Sequence, residues 1–111
     1  MSKTVEYRGA YKKSKRKLSK SDPTFAKSIK ELEALIATGK DIPVRFNNHY
    51  VKAPGTRKGT MMMQSLGTGK WNLWQCHVPS RGQTSQYIMM YATNKDTIVF
   101  MICGKHDDTT G

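Results

Sequence analysis

The alternation of apolar and polar positions is most regular in the last third of the chain, where it predicts three consecutive β-strands. The segments 70–78, 85–92 and 97–103 are short, rich in aromatic and β-branched residues, and bounded by Pro, Gly, Ser or Asn. The third segment is apolar throughout, which favours a place inside the sheet. The short connections between the segments predict an antiparallel meander.

Side chains along the first two segments divide between two faces of this sheet. In the first segment one face carries Trp71, Leu73, Gln75 and His77, and the other carries Asn72, Trp74, Cys76 and Val78. In the second segment Tyr87, Met89 and Tyr91 lie opposite Ile88, Met90 and Ala92.

Helical periodicity is clearest between residues 22 and 39. Asp22-Pro23 is a helix start, because Asp is a good N-cap and Pro suits the first helical position. Gly39 suits the end of the helix, in the C-cap position. Between them, apolar residues recur at spacings of four, three and four, which predicts one face packed on the sheet. These apolar positions are Phe25, Ile29, Leu32 and Ile36.

The N-terminal part of the chain predicts a short strand over 3–8 and a helix over 10–19, with Gly9 as the break between them. The apolar stripe of this helix is thin, and most of its surface is basic without a carboxylate. Because the cations repel one another, we favour a track for a phosphate backbone over an ordinary solvated face. The candidate contacts on this helix are Lys12, Lys13 and Arg16.

Residues 41–69 show the weakest pattern, and the part between Lys52 and Trp71 predicts a basic loop of about 20 residues, a kind of segment that is usually functional or mobile. Met61 to Met63 are consistent with a small strand or with an apolar plug on the core, and we favour the plug. Residues 67–70 resemble a phosphate loop, but they lack the Walker A spacing and precede a strand, which excludes nucleotide binding. The predicted fold is therefore α+β, a small antiparallel meander sheet packed by two N-terminal helices, in one domain over residues 1–111.

The net charge of the chain limits the kinds of molecule that it is expected to bind. The chain has 19 Lys and Arg against 8 Asp and Glu, a net charge of +11, so a polyanion is the expected partner. It has no apolar run long enough to span a membrane and no secretory signal, which predicts a cytoplasmic protein. Cys76 and Cys103 are expected to be reduced and buried. No Cys or His spacing fits a metal site, and no cofactor is expected.

Histidine chemistry gives the candidate site. Metal-independent cleavage of RNA needs a base for the 2′-hydroxyl proton, an acid for the leaving oxygen, and cations for the phosphorane charge. The chain has three histidines, which are His49 in the polar loop, His77 at the end of a strand and His106 after the last strand. The first and third strands of a meander run parallel, so His77 and His106 are expected at one edge, beside Arg81 and Lys105.

The order of these elements resembles the RelE/ParE superfamily of bacterial toxins, most closely the YafQ-type mRNA interferases. The matching segments span nearly the whole chain. They are Glu6-Tyr-Arg-Gly-Ala-Tyr-Lys-Lys13, Asn48-His49, Trp71 with His77, Tyr87 to Tyr91, and Cys103-Gly-Lys-His106.

The resemblance implies cleavage of mRNA, commonly in the ribosomal A site, and neutralisation by an acidic cognate antitoxin. It also implies that His49, His77 and His106 belong to the site. The chain departs from the branch at Arg81, where the branch has an acidic residue, and at Thr110, where it often has an aromatic one. The basic loop is also longer than usual. Arg81 would move the site toward the RelE style, in which cations carry most of the catalysis.

The sequence therefore predicts a metal-independent endoribonuclease toxin. We assign His77 and His106 as the acid/base pair, without deciding which is the acid and which is the base. Arg81 and Lys105 are expected to stabilise the negative charge of the phosphorane, and His49 is also a site residue. The expected RNA-backbone contacts are Lys52, Arg57, Lys58, Lys70, Lys105, Lys12, Lys13 and Arg16. Two alternatives stay open: a non-enzymatic gyrase inhibitor of the ParE kind, and a plain nucleic-acid-binding domain.

Overall fold

The computed structural model describes residues 3–51, 57–67, 69–80 and 83–105, with the backbone alone at 57–59, 80 and 83–86. Within these residues the chain forms an α+β fold of five strands and three α-helices, with a 3₁₀ turn at Val44–Phe46. The elements are β1 (Thr4–Tyr7), α1 (Gly9–Ser21), α2 (Pro23–Ala37), β2 (His49–Val51), α3 (Arg57–Ser65), β3 (Asn72–Ser80), β4 (Gln83–Thr93) and β5 (Thr97–Lys105). Among the described helices none combines the length and apolarity that crossing a bilayer requires.

The sheet has the strand order β1-β5-β4-β3-β2. The predicted antiparallel meander is confirmed in β3, β4 and β5. The sheet as a whole is mixed, because β1 pairs with β5 in parallel. Two neighbours therefore enclose β5, and its buried residues from Ile98 to Met101 explain why this segment is apolar on both faces.

Helix α2 forms as its sequence predicts. The Asp22 carboxylate accepts a hydrogen bond from the Phe25 N–H at 3.0 Å, and Pro23 follows at the first helical position. At the other end, Gly39 has φ +69°, and the N–H groups of Gly39 and Lys40 donate to the carbonyls of Ile36 and Leu35. This is a Schellman motif, which satisfies the last carbonyls of the helix. All four residues of the predicted apolar stripe are buried.

Helix α1 begins at Gly9, which opens the helix where a break was predicted, and it extends to Ser21. Its Tyr11 is fully buried, and its Ser14 hydroxyl accepts a hydrogen bond from the Cys103 N–H of β5 at 3.1 Å. Glu33 of α2 accepts from the Tyr11 hydroxyl at 2.7 Å and pairs with Lys15 at 2.6 Å. These contacts fix both helices against one face of the sheet.

The two faces of the sheet bury different clusters, and they divide as the alternation predicts. The helix face packs against α1 and α2 and includes Cys76, Val78, Met89, Tyr91, Phe100 and Cys103. The opposite face, here called the histidine face, includes Leu73, Ile88, Met90, Ala92, Val99 and Met101. The two cysteines are buried on the helix face and form no disulfide, which confirms that prediction.

The interpretation of 41–69 as irregular is wrong for most of its described part, which contains the 3₁₀ turn, β2 and α3. The predicted basic loop is wrong where α3 forms. His49 is the first residue of strand β2, which pairs antiparallel with β3. The Met61 to Met63 segment lies in α3, and its Met62 and Met63 pack on the histidine face. The segment therefore covers the core as predicted for a plug, but it does so as part of a helix.

Strands β3 and β4 continue beyond their predicted ends. Pairing extends to Ser80 and Gln83, with an irregular register between Val78 and Ser80. Pro79 has no N–H to donate, and a bulge tolerates this deficiency inside a strand. The placement of His77 at a strand end is therefore wrong, because three residues of β3 follow it.

Candidate active site

Two of the three histidines lie side by side on the histidine face. The ring centroids of His49 and His77 are 5.7 Å apart, with the ring planes inclined by 34°. The register explains this contact: His49 pairs with Gln75, and His77 lies two residues further along β3 on the same face. Both side chains are partly exposed. This separation brings two side chains that can transfer protons to one place on the sheet.

A hydrogen bond fixes the tautomer of His49. Its Nδ1 lies 2.8 Å from the carbonyl oxygen of Asn47. A carbonyl oxygen only accepts hydrogen bonds, so Nδ1 carries the proton and donates it. In the neutral ring Nε2 then holds the free lone pair. His49 can therefore act as a base through Nε2.

Gln75 is the polar neighbour of both histidines along the face. It is 6% exposed and pairs with His49 on one side and with Met90 on the other. A glutamine offers both donors and an acceptor, so it can bind neutral and charged partners. Gln75 lies on the predicted face of His77, but it is not among the site residues predicted from the sequence.

The end of β5 approaches the same part of the sheet. Ile88 of β4 pairs with His77 on one side and with Gly104 of β5 on the other. Two strand spacings separate the backbones of His77 and Gly104, which is about 10 Å. The predicted site residues His106, Arg81 and Lys52 lie outside the described residues.

The predicted RNA contacts divide between the two sides of the sheet. Lys70, before β3, and Lys105, at the end of β5, are exposed. Arg57 and Lys58 begin α3, the helix that packs on the histidine face. The three α1 cations are exposed on the helix side, so the structure separates them from the histidine pair. They are Lys12, Lys13 and Arg16.

The groups with perturbed pKa values lie on the helix face. Burial raises the pKa of Cys76 and of Cys103 to about 12 each. Burial also raises the pKa of Tyr91, as does the neighbouring Cys76, although a hydrogen bond to Asn48 opposes the shift. The pKa of Tyr11 rises mainly through burial. These groups stay protonated near neutral pH and are unsuited to acid/base catalysis there.

The described residues also form a cavity of about 390 Å³ on the helix face, near the C-terminal end of α2. Its lining includes Lys40, Ile42, Trp74 and Tyr91, and it contains neither His49 nor His77. A long polyanion needs an open surface, so we place the candidate site at the histidines. Among the described residues, no group of three or more His, Cys, Asp or Glu side chains is arranged to hold a metal ion.

The contacts of Asn48 could not be predicted from the sequence. Its side-chain oxygen accepts from the Tyr91 hydroxyl at 2.8 Å and from the Cys76 thiol at 3.1 Å. Asn48 precedes His49, but its partners are distant along the chain. The only sequence signal is a polar residue directly before a strand, which is too common to identify a contact.

The chain matches no family model and no curated protein sequence. Solved structures do match its fold along almost the entire length. A chain of the E. coli DinJ–YafQ toxin–antitoxin complex has a TM-score of 0.70 at 18% identity, with 100% of both chains covered. YafQ from E. coli BL21(DE3) has a TM-score of 0.69 at 16% identity, covering 98% of this chain and 99% of YafQ.

A copper-bound mutant toxin from Helicobacter pylori is a third match, with a TM-score of 0.67 at 14% identity over 97% and 98% of the two chains. Identities this low establish the shape of the chain and leave its chemistry to the site residues. The resemblance that the sequence motifs indicate is confirmed at this level: the protein has the RelE-like fold of the YafQ toxins.

Proposed function

We propose that this protein is the toxin of a toxin–antitoxin pair and that it cleaves mRNA on the ribosome by acid/base catalysis at its histidines. The observation that carries the proposal is the His49–His77 pair, 5.7 Å apart on a partly exposed face of a chain with net charge +11. The YafQ-like fold supports the same function. A substrate of this kind would require the protein to act in the cytoplasm.

The proposed reaction is an in-line transfer within the RNA. Nε2 of His49 takes the proton of a 2′-hydroxyl, and that oxygen attacks the adjacent phosphorus. The bond from phosphorus to the 5′-oxygen breaks, and protonated His77 donates a proton to the leaving oxygen. The products are a 2′,3′-cyclic phosphate and a 5′-hydroxyl. In this assignment His49 is the base and His77 the acid.

The remaining predicted residues would stabilise the charge of the transition state and hold the RNA in place. Arg81 and Lys105 would stabilise the charge on the phosphorane, and His106 would complete the site. Lys52, Arg57, Lys58 and Lys70 would bind the RNA backbone beside the site. Because the α1 cations lie on the other side of the sheet, we assign them to the wider ribosomal RNA surface or to the antitoxin.

An acidic antitoxin is the proposed protein partner. Two of the matching solved structures are DinJ–YafQ complexes, in which a toxin of this fold is bound by its antitoxin. A net charge of +11 favours an acidic partner through electrostatic attraction and fast association.

Primer extension on mRNA in a translation extract tests the proposed function. We expect discrete new 5′ ends with the wild type and none with a His49→Gln, His77→Gln, His106→Gln triple variant. Tyr50→Phe is the matched control, because Tyr50 neighbours His49 on β2 but contacts Trp74 on the helix side. It should cleave like the wild type.

The chemistry has a separate test in the substrate. A message with a single 2′-deoxynucleotide at the cleavage position should resist cutting there, because the attacking oxygen is missing. Equal cleavage of that message would exclude the proposed reaction. If the wild-type protein leaves ordinary mRNA intact and inhibits DNA supercoiling, the gyrase-inhibitor alternative is supported instead.

A further inference from the structure

The segment before β2 passes from one side of the sheet to the other within two residues. The Asn48 side chain bonds to Tyr91 and Cys76, which belong to the helix face. The next side chain, His49, lies on the histidine face beside His77. Asn48 therefore ties the backbone that carries His49 to the core on the opposite side of the sheet.

The preceding residue completes this link. Asn47 has φ +41°, in the left-handed region that Asn tolerates better than most residues. Its N–H donates to the Val44 carbonyl at 2.9 Å, and its own carbonyl oxygen accepts from Nδ1 of His49 at 2.8 Å. The buried ring of Phe46 anchors the turn just upstream. The direction of the Asn47 carbonyl thus depends on a turn that is fixed at both ends.

We propose that Asn48 and Tyr91 form a clamp that positions His49 and holds its ring in the Nδ1–H tautomer. The catalytic part of this inference rests on the proposed function, in which Nε2 of His49 is the base. The tautomer itself is independent of any activity. Asn48 and Tyr91 are positioning residues, because they bond the helix side of the sheet and act on the site through His49.

The chemistry of the clamp explains why the hydroxyl of Tyr91 matters. A thiol is a weak donor, so Tyr91 supplies the stronger of the two hydrogen bonds to the Asn48 oxygen. Stacking of Tyr91 against Trp74, with ring centroids 6.3 Å apart, holds that hydroxyl in place. Without the hydroxyl, Asn48 keeps only the thiol bond, and the backbone just before His49 loses the stronger of its two side-chain bonds to the helix face.

The test compares two tyrosines that each donate one partly buried hydrogen bond on the same face. Tyr91→Phe removes the bond to Asn48, whereas Tyr11→Phe removes the bond to Glu33 on α2. Both variants should lose stability by similar amounts. NMR of ¹⁵N-labelled histidine reports which ring nitrogen of neutral His49 carries the proton. We expect the Nδ1–H form in the wild type and in Tyr11→Phe, and a shift toward Nε2–H in Tyr91→Phe.

Kinetics supply the second readout. Tyr91→Phe should lower kcat for RNA cleavage about ten-fold with KM unchanged, because the base is misplaced while the RNA contacts remain. Tyr11→Phe should leave both values unchanged per folded molecule. Asn48→Asp, which keeps an acceptor for Tyr91, should retain the Nδ1–H form, whereas Asn48→Ala should lose it.

An unchanged His49 tautomer in Tyr91→Phe would overturn the clamp, whether or not the protein cleaves RNA. A shifted tautomer in a protein whose wild type cleaves no RNA would instead support the clamp and remove the proposed function. Equal tautomer shifts in Tyr11→Phe and Tyr91→Phe would also overturn the clamp, since a general loss of packing would then explain both.

Discussion

The two faces of the sheet are built from the same strands, yet they are covered in different ways. On the helix face, α1 and α2 bury Cys76, Met89 and Phe100 completely or nearly so. On the histidine face, α3 packs over the apolar part around Leu73. The adjoining part, with His49 and His77, stays partly exposed.

Under the proposed function, this difference separates the part of the molecule that provides stability from the part that provides chemistry. A face sealed by amphipathic helices gains hydrophobic stabilisation, and its titratable groups are held in their neutral forms. A partly open face can bind a polyanion and exchange protons with it. A single strand serves both purposes, because its alternate residues point to opposite sides.

The strongest test of the division is to remove the paired histidines. His77→Gln and His49→Gln should each lower RNA cleavage by about 100-fold or more, since each removes one proton-transfer group. Thermal unfolding should change little, because both side chains are partly exposed. Cleavage assays and melting curves on the same preparations check this. Full activity in either variant would remove that histidine from the proposed chemistry.

A core substitution on the helix face should have the reverse effect. Leu32→Ala deletes buried methyl groups from the stripe of α2 and should lower the free energy of unfolding by about 2–5 kcal/mol. Cleavage per folded molecule should stay near the wild-type value. The control is Lys30→Ala, an exposed position on the same helix. Urea titration measures the effect, and a selective loss of kcat in Leu32→Ala would show that the faces are coupled.

The buried thiols make stability depend on pH. Burial raises the pKa of Cys76 and Cys103 from 9.0 to about 12. Between these values the unfolded chain releases thiol protons that the folded chain keeps. The free energy of unfolding should therefore fall as pH rises, by up to about 1.4 kcal/mol per pH unit for each thiol.

Urea unfolding at several pH values between 9 and 12 checks this slope. Cys76→Ala should flatten the slope, whereas Leu32→Ala should lower stability without changing it. Parallel curves for Cys76→Ala and the wild type would show that this thiol titrates alike in both states.

The smallest effect should come from the α1 cations, which lie on the side away from the histidines. Replacing Lys12, Lys13 and Arg16 with Gln should reduce the salt-dependence slope of RNA binding by about 2 if all three contact phosphates. The value of kcat should not change, because these residues are remote from the paired rings. Binding titrations over a range of salt concentrations measure the slope, and a large loss of kcat would contradict the separation of the faces.

The parts of the fold that sequence could predict are those with a sustained period. The spacing from Phe25 to Ile36 identified α2, and Asp22 and Gly39 marked its ends. Alternation along β3 and β4 assigned residues to the correct faces, so the face on which Gln75 and His77 lie follows from sequence alone.

The parts that were missed lack such a period or depend on distant partners. Strand β2 has three residues, too few to alternate visibly, and its pairing with β3 decides that His49 meets His77. Helix α3 carries a weak signal, since Met62 and Leu66 are one helical turn apart, but Gly59 and the Met run obscure it. The Asn48 contacts join residues up to 43 positions apart, which no local pattern reveals.

The position of β5 has a consequence for how this chain acquires its shape. Translation produces β1 to β4 before β5, yet β5 stands between β1 and β4 in the sheet. Until the ribosome releases the segment from Thr97 onward, β1 has no strand beside it and β4 has a bare edge. Closure of the sheet must therefore follow synthesis of β5, and its core cannot form before that strand is available.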